Sequence, residues 1–368
     1  MERWDLPNLP HEIVYDILSR LPVKPLCRFK SVSKPWLALI TDPQFIKSHL
    51  HQSMKSNSNQ KLMIIPPRCS HTFESFYALD YQAPDHSVAD LKMLCKNSRV
   101  VDIRGSFNGV LLLDLLDGLC LWNPSVRMYQ KFSRPKGTCA FRKYALGYDS
   151  INDDFKVVAA VCLINHALTN VHVFSSKLSS WKSIGDFGYS SYLQGPGSVL
   201  NGAPHWFLCG NTDMYSNIVC FDVMEEKLKE VPKPICEVNN FVSLGALGGW
   251  LCVVDNRLES HSDVWVMKEY GVKESWTKLF VVPNVPLNVA GEFFFHYFDL
   301  LCFTKDGEVV MRLKLETEEL VKFVIYNPKK KTYKRMIGMP QDWKRFDVAV
   351  YVESLVSPHG CNSTRRHC

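Results

Sequence analysis

Apolar positions follow two different rhythms along this chain, and the change falls near residue 50. In the first segment Ile13, Ile17 and Leu21 recur every four residues, with Val14 and Leu18 beside them, as on one wide apolar stripe of a helix. Pro10 suits the first helical turn, and Pro22 ends the helix at Leu21. A short second helix fits residues 25–32 and exposes Leu26 and Phe29, and Pro35 can open a third carrying Trp36, Leu39 and Ile40. Residues 1–50 thus read as a compact three-helix unit. Residues 51–60 include the polar run Gln52-Ser53-Met54-Lys55-Ser56-Asn57-Ser58-Asn59-Gln60, which has no apolar period and reads as a linker.

From Lys61 the texture becomes short apolar runs cut by Gly, Asn, Asp and Pro, such as Val110-Leu111-Leu112-Leu113 and Ile218-Val219-Cys220-Phe221. These are strands and tight turns. A repeat runs through them. Trp122-Asn123-Pro124 is followed seven residues on by Tyr129, Phe174 by Trp181, Phe221 by Leu228, and Tyr326-Asn327-Pro328 by Tyr333. Trp265 pairs in the same sense with Trp276, with residues added at the Tyr270-Gly271 tip. Each unit is a large residue, a turn of Asx, Ser or Pro, a polar tip and a large residue returning, which is a hairpin. The hairpins begin at 122, 174, 221, 265 and 326, so successive steps are 52, 47, 44 and 61. Roughly 40–50 residues per two-hairpin unit is the size of a four-stranded propeller blade. Residues 61–95 suggest a degenerate first blade, and 347–355 alternate like one closing strand. The expected architecture is α+β and multidomain: a small helical unit, then an all-β propeller of about six blades over 61–358, then a tail at 359–368. A β-sandwich also uses many short strands, but its pattern would not repeat at this period.

The 368 residues are 46% hydrophobic and 22% charged, an ordinary globular balance. No apolar run approaches the ~18 residues of a membrane span, and Met1-Glu2-Arg3-Trp4-Asp5-Leu6-Pro7 lacks the apolar core of a signal peptide. A cytoplasmic or nuclear location is expected. The 13 cysteines are scattered, odd in number and never spaced C-x-x-C, as expected of reduced, buried small hydrophobes. Net charge is +6 with the basic residues dispersed; the densest cluster, Lys329-Lys330-Lys331 with Lys334 and Arg335, reads as a solvated hairpin tip rather than a nucleic-acid surface.

The first fifty residues pose a physical problem. Units below ~40 residues rarely fold alone and 60 is marginal, yet this one carries Leu9, Ile13, Val14, Ile17, Leu18, Leu21, Leu26, Phe29, Val32 and Trp36. Five such side chains, fully covered, are worth ~7–15 kcal/mol gross, against an association cost of at least ~4 kcal/mol. Either a partner covers part of the stripe or it docks on the chain's own β-region.

Leu6-Pro7-Asn8-Leu9-Pro10-His11-Glu12-Ile13, Ile17-Leu18-Ser19-Arg20-Leu21-Pro22-Val23-Lys24-Pro25-Leu26, Phe29-Lys30-Ser31-Val32-Ser33-Lys34-Pro35-Trp36 and Asp42-Pro43-Gln44-Phe45 together resemble a plant-type F-box over about 45 residues. Pro35 is an unusual occupant of a variable slot. The resemblance implies binding to the Skp adaptor subunit and through it to cullin and a RING protein. By position the contact falls on Leu9, Pro10, Ile13, Ile17, Leu18, Leu21, Pro22, Leu26, Val32 and Trp36, some of which must instead build the unit's own core. The β-region is similar to the F-box-associated, kelch-like domain. Its motifs include Gly105-Ser106-Phe107-Asn108-Gly109, Leu121-Trp122-Asn123-Pro124-Ser125, Gly147-Tyr148-Asp149-Ser150 and Leu200-Asn201-Gly202-Ala203-Pro204-His205-Trp206. Members of that family are substrate receptors.

Catalytic signatures are lacking: there is no G-x-S-x-G, P-loop, H-E-x-x-H or dinucleotide glycine fingerprint. His205 reads as a strand residue, Asp153-Asp154 as a hairpin turn, and the Trp and Tyr residues ending the hairpins as packing between blades. No catalytic residue, metal or cofactor is expected. The sequence points to the substrate-recognition subunit of a Skp–cullin–F-box ubiquitin ligase, with a propeller scaffold or enzyme acting outside the ligase as the alternative. A protein target of unknown identity would meet loops at one propeller face, in the stretches 163–171, 209–217 and 255–262.

Overall fold

The computed structural model describes residues 10–56, 59–65, 75–83, 88–92, 100–136, 141–162, 169–187, 192–209, 217–235, 241–257, 261–283, 295–315, 321–335 and 346–359. Among these residues four helices come first: α1 (His11–Ser19), α2 (Val23–Phe29), α3 (Lys34–Thr41) and α4 (Pro43–Ser56). Six four-stranded antiparallel sheets follow. The six-bladed propeller is as expected; the helical unit has four helices, not three, and this corrects the expected linker. Residues 52–56 are the last turn of α4. Its inward face is Phe45, Ile46, His49, Leu50 and Ser53, so two polar residues occupy buried helical positions and hide the period from a hydropathy reading.

Blade 1 joins the two ends of the β-region. Its inner strand is Asp347–Val352, paired antiparallel with Gln60–Ile65, which in turn pairs with Ser75–Leu79 and that with Val88–Lys92. The closing strand expected near 347 therefore seals the ring by pairing the last strand of the β-region with the first. Blades 2 to 6 are each made of four consecutive strands, over 100–132, 141–187, 192–231, 241–283 and 295–335.

The repeat has a physical basis in its turns. Asn123 Oδ1 accepts from Ser125 N, Asp222 Oδ1 from Met224 N and Glu225 N, and Asn327 Oδ1 from Lys329 N and Lys330 N. Each tip ends on one residue of positive φ: Arg127 (58°), Ser179 (51°), Glu226 (54°) and Lys331 (53°). A short turn closed by a left-handed residue fixes the register. The result is the pairs Trp122–Tyr129, Phe174–Trp181, Phe221–Leu228 and Tyr326–Tyr333. The Trp265–Trp276 pairing is corrected: Met267 faces Trp276 and Trp265 faces Lys278, with a bulge beside Trp265 and a 3-10 turn at Lys273–Ser275. Bulk alone suggested Trp265; the position equivalent to Trp122 is held by a methionine.

The returning aromatics also link blades, as the sequence suggested. Trp181 Nε1 donates to Ser133 O (2.8 Å), Trp276 Nε1 to Pro232 O (2.8 Å) and Tyr333 OH to Pro283 O (3.1 Å). Each acceptor lies at the end of the preceding blade's outer strand, so one side chain closes a hairpin and fastens the next blade.

Strand polarity defines two ends. Helix α4 leads into Gln60, which pairs with Val352, and Glu353 N donates to Asn59 O (2.9 Å), so the helices attach at this end. The turns between inner and second strands gather there: Ser354 Oγ donates to Asn108 O in blade 2, and Tyr148 N in blade 3 donates to Gly202 O in blade 4. Second strands end and third strands begin at the opposite end.

Candidate adaptor-binding surface on the helical unit

Pro10 sets the start of α1 with φ −50°, and its carbonyl accepts from Ile13 N (3.0 Å) and Val14 N (3.1 Å). Helical spacing then divides the apolar stripe. Val14 and Leu18 turn inward while Ile13 and Ile17, one turn apart, face solvent. Asp42 caps α4, its Oδ1 accepting from Gln44 N (2.9 Å) and Phe45 N (3.0 Å), and Ser33 caps α3 by accepting from Trp36 N (3.3 Å). The small core is Leu18, Val23, Leu26, Ile40 and Phe45, with Tyr15 edge-on to Phe45 and Trp36 edge-on to Phe29, each at 5.3 Å. Buried His49 reaches the end of α1 across this core, Nε2 lying 2.8 Å from Leu21 O, and desolvation holds its pKa below the ordinary histidine value. Kept neutral, it donates one N–H to that carbonyl.

The candidate contact residues separate into two groups. Leu18 (1% exposed) and Leu26 (0%) are core; Leu21 and Trp36 are half-buried against it. Ile13 (46%), Ile17 (47%) and Val32 (61%) are open, as are Pro10 and Pro22. Leu9 lies outside the described residues. Leu37 on α3 is also exposed, and sequence reasoning passed over it because it sits beside the more conspicuous Trp36. The helical unit is not complete alone: Leu355 enters its core and Val126, from the outer turn of blade 2, packs against it. Ile13 and Ile17 stay exposed even so.

The described strand ends that flank the expected recognition stretches, those of the second and third strands in blades 3, 4 and 5, lie at the end away from the helices. Residues 163–168, 210–216 and 258–260 within them are outside the described residues. At this same end the structure adds a charged cluster that hydropathy could not show. Arg104 pairs with Asp102 (2.6 Å) and Asp114 (2.8 Å), Arg134 with Asp114 (2.8 Å), and Arg312 Nε donates to Asp299 (2.8 Å). Burial, then the hydrogen bond and charge of Asp102, push the Asp347 carboxyl up to about 8, with Arg312 and Arg104 pulling the other way.

The other residues weighed as chemical candidates have structural partners. His205 is a buried strand residue whose Nδ1 lies 2.9 Å from Ala203 O and Nε2 2.7 Å from Tyr270 OH; desolvation lowers it to about 4. Asp153 is a turn residue at φ 51°, and Asp154 accepts from Ser175 Oγ (2.6 Å), Ser176 Oγ (2.9 Å) and Lys177 N (3.0 Å). Among the described residues no three His, Cys, Asp or Glu side chains converge as metal ligands, and no helix is long and apolar enough to cross a membrane.

A helical interaction unit with an open apolar strip, seated on a six-bladed β-propeller, defines the class of this molecule. Residues 6–48 match the F-box domain model, and residues 57–354 match that of the F-box associated beta propeller domain. The chain belongs to the F-box proteins that carry this propeller. Among its relatives in Arabidopsis thaliana, F-box protein CPR1 is 33% identical, covering 95% of this chain and 89% of that protein. An F-box/kelch-repeat protein of the same plant is 28% identical, covering 76% of this chain and 80% of that one.

Proposed function

We propose that this protein is the substrate-recognition subunit of a Skp–cullin–F-box ubiquitin ligase. The F-box binds the Skp adaptor subunit, and through it cullin and the RING protein, while the propeller end away from the helices holds a target protein. The observation that carries this reading is the pair Ile13 and Ile17: neighbours on one helix face, on an F-box that has already drawn in Leu355 and Val126, and still about half exposed.

Magnitudes sharpen the reading. Covering the exposed half of Ile13, Ile17, Val32 and Leu37 is worth about 3–6 kcal/mol gross, half the full-burial figure of ~1.5–3 kcal/mol each. That is comparable with the ~4 kcal/mol or more lost on association, so the adaptor must also engage residues beyond these four. The mechanism is proximity: a bound target lysine is held near the charged conjugating enzyme, raising its effective concentration, and no residue of this chain performs chemistry. Tagged full-length protein, purified from plant cells with the proteasome inhibited, is expected to bring down the adaptor, cullin, RING protein and an accumulated target. Recovery of the adaptor without cullin would favour a scaffold working outside the ligase.

A further inference from the structure

Residues 353–356 follow the closing strand directly and touch both parts of the molecule. On the propeller side Ser354 is fully buried. Its Oγ donates to Asn108 O (2.7 Å), and Asn123 Nδ2 lies 3.1 Å from Ser354 O, 3.0 Å from Ser354 Oγ and 2.8 Å from Val356 O. Gly109, at φ +81°, leaves room for this seat: a Cβ there would sit 2.3 Å from Ser354 Oγ. On the helical side Leu355 completes the F-box core with Leu18, Leu26 and Phe45, while Val356 packs in the cluster that holds Leu50 of α4. Lys61 and Glu353 pair across the join at 2.7 Å.

We infer that this segment is a strap that makes docking of the F-box conditional on closure of the propeller. The seat for Leu355 exists only when 347–352 has paired with 60–65, because that pairing delivers residue 353 to Asn59 and residue 354 to Asn108 and Asn123. A chain whose ring is open lacks part of its F-box core. A closed one holds the F-box at a fixed orientation to the opposite end of the propeller. For the ligase this means that a receptor with an incomplete target domain does not present a properly seated F-box, a consequence that rests on the function proposed above.

The test is hydrogen exchange on the full-length chain without any partner, so its outcome is independent of adaptor binding. Asn123→Ala is the decisive variant: its side chain bonds the strap and its own turn, and because that turn carries Val126 onto the helices, Val126→Ala is measured beside it and is expected to accelerate them less. Amides of α2 to α4 are expected to exchange about tenfold faster or more, from the loss of buried hydrogen bonds, with blades 3 to 5 unchanged. Ala349→Pro, which removes the backbone donor facing Met63 in the closing pair, is expected to produce the same helix signature more strongly. Asn327→Ala, the equivalent turn residue in blade 6, away from the strap, is expected to leave the helices at the native rate. Native helix exchange in Asn123→Ala would overturn the inference, as would equal acceleration in Asn327→Ala or Val126→Ala.

Discussion

The propeller and the F-box both expose apolar side chains, but in different patterns. On the propeller these are single turn residues such as Ile151, Leu178 and Met224, each at a polar-lined hairpin tip, while the large residues of each sheet are enclosed between blades. On the F-box they include two successive positions of one helix face, Ile13 and Ile17. The propeller completes itself because its last strand pairs with its first. The F-box is too small to do so; it takes Leu355 and Val126 from the propeller and remains open on α1. A closed region can vary its loops without losing its core, whereas an open one has its surface dictated by whatever covers it.

Truncations test this contrast. The largest effect is expected inside the ring: Trp122→Ala removes a buried indole packed 4.8 Å from the Phe76 ring and should cost the propeller about 3–5 kcal/mol in urea unfolding followed by circular dichroism. Leu26→Ala should cost about 2–5 kcal/mol, but confined to the helices, visible as lost helical signal before the β-signal changes. Simultaneous loss of both signals would mean that the two regions unfold as one unit.

A smaller effect belongs to the charged cluster. Asp347 holds its proton more tightly folded, at about 8, than at the ordinary aspartate value of 3.8. Its contribution to stability is therefore fully present below about pH 4 and is lost as pH rises through about 8. Comparing urea unfolding free energies between pH 6 and 9, Asp347→Asn should flatten the decline by about 2–3 kcal/mol. An unchanged slope would show that Asp347 ionises freely.

Much of the propeller was legible because its signals are local. Asn123, Asp222 and Asn327 each bind the backbone two or three residues on, so a turn, and with it a register, can be read from a few letters. Where the turn is longer, as after Met267, the heavier Trp265 misleads. Helix α4 was illegible for a different reason: His49 and Ser53 occupy its buried face, and their suitability depends on partners such as Leu21 O and Asn59 that only the fold supplies. The stripe on α1 was visible, but not which half is covered. That depends on where α4 and residue 355 arrive, and no periodicity within α1 contains it.

On the proposed function, Ile13 and Ile17 are exposed for a partner and not for the chain itself. Leu18 cannot test it, since replacing a core residue also breaks the F-box. Purified Ile13→Asp/Ile17→Asp protein, titrated with Skp adaptor by calorimetry alongside a urea unfolding curve, separates the two roles. An unfolding free energy within about 0.5 kcal/mol of the parent and adaptor affinity at least about a hundredfold weaker are expected. Undiminished affinity, or loss of affinity only in step with loss of folding, would contradict it.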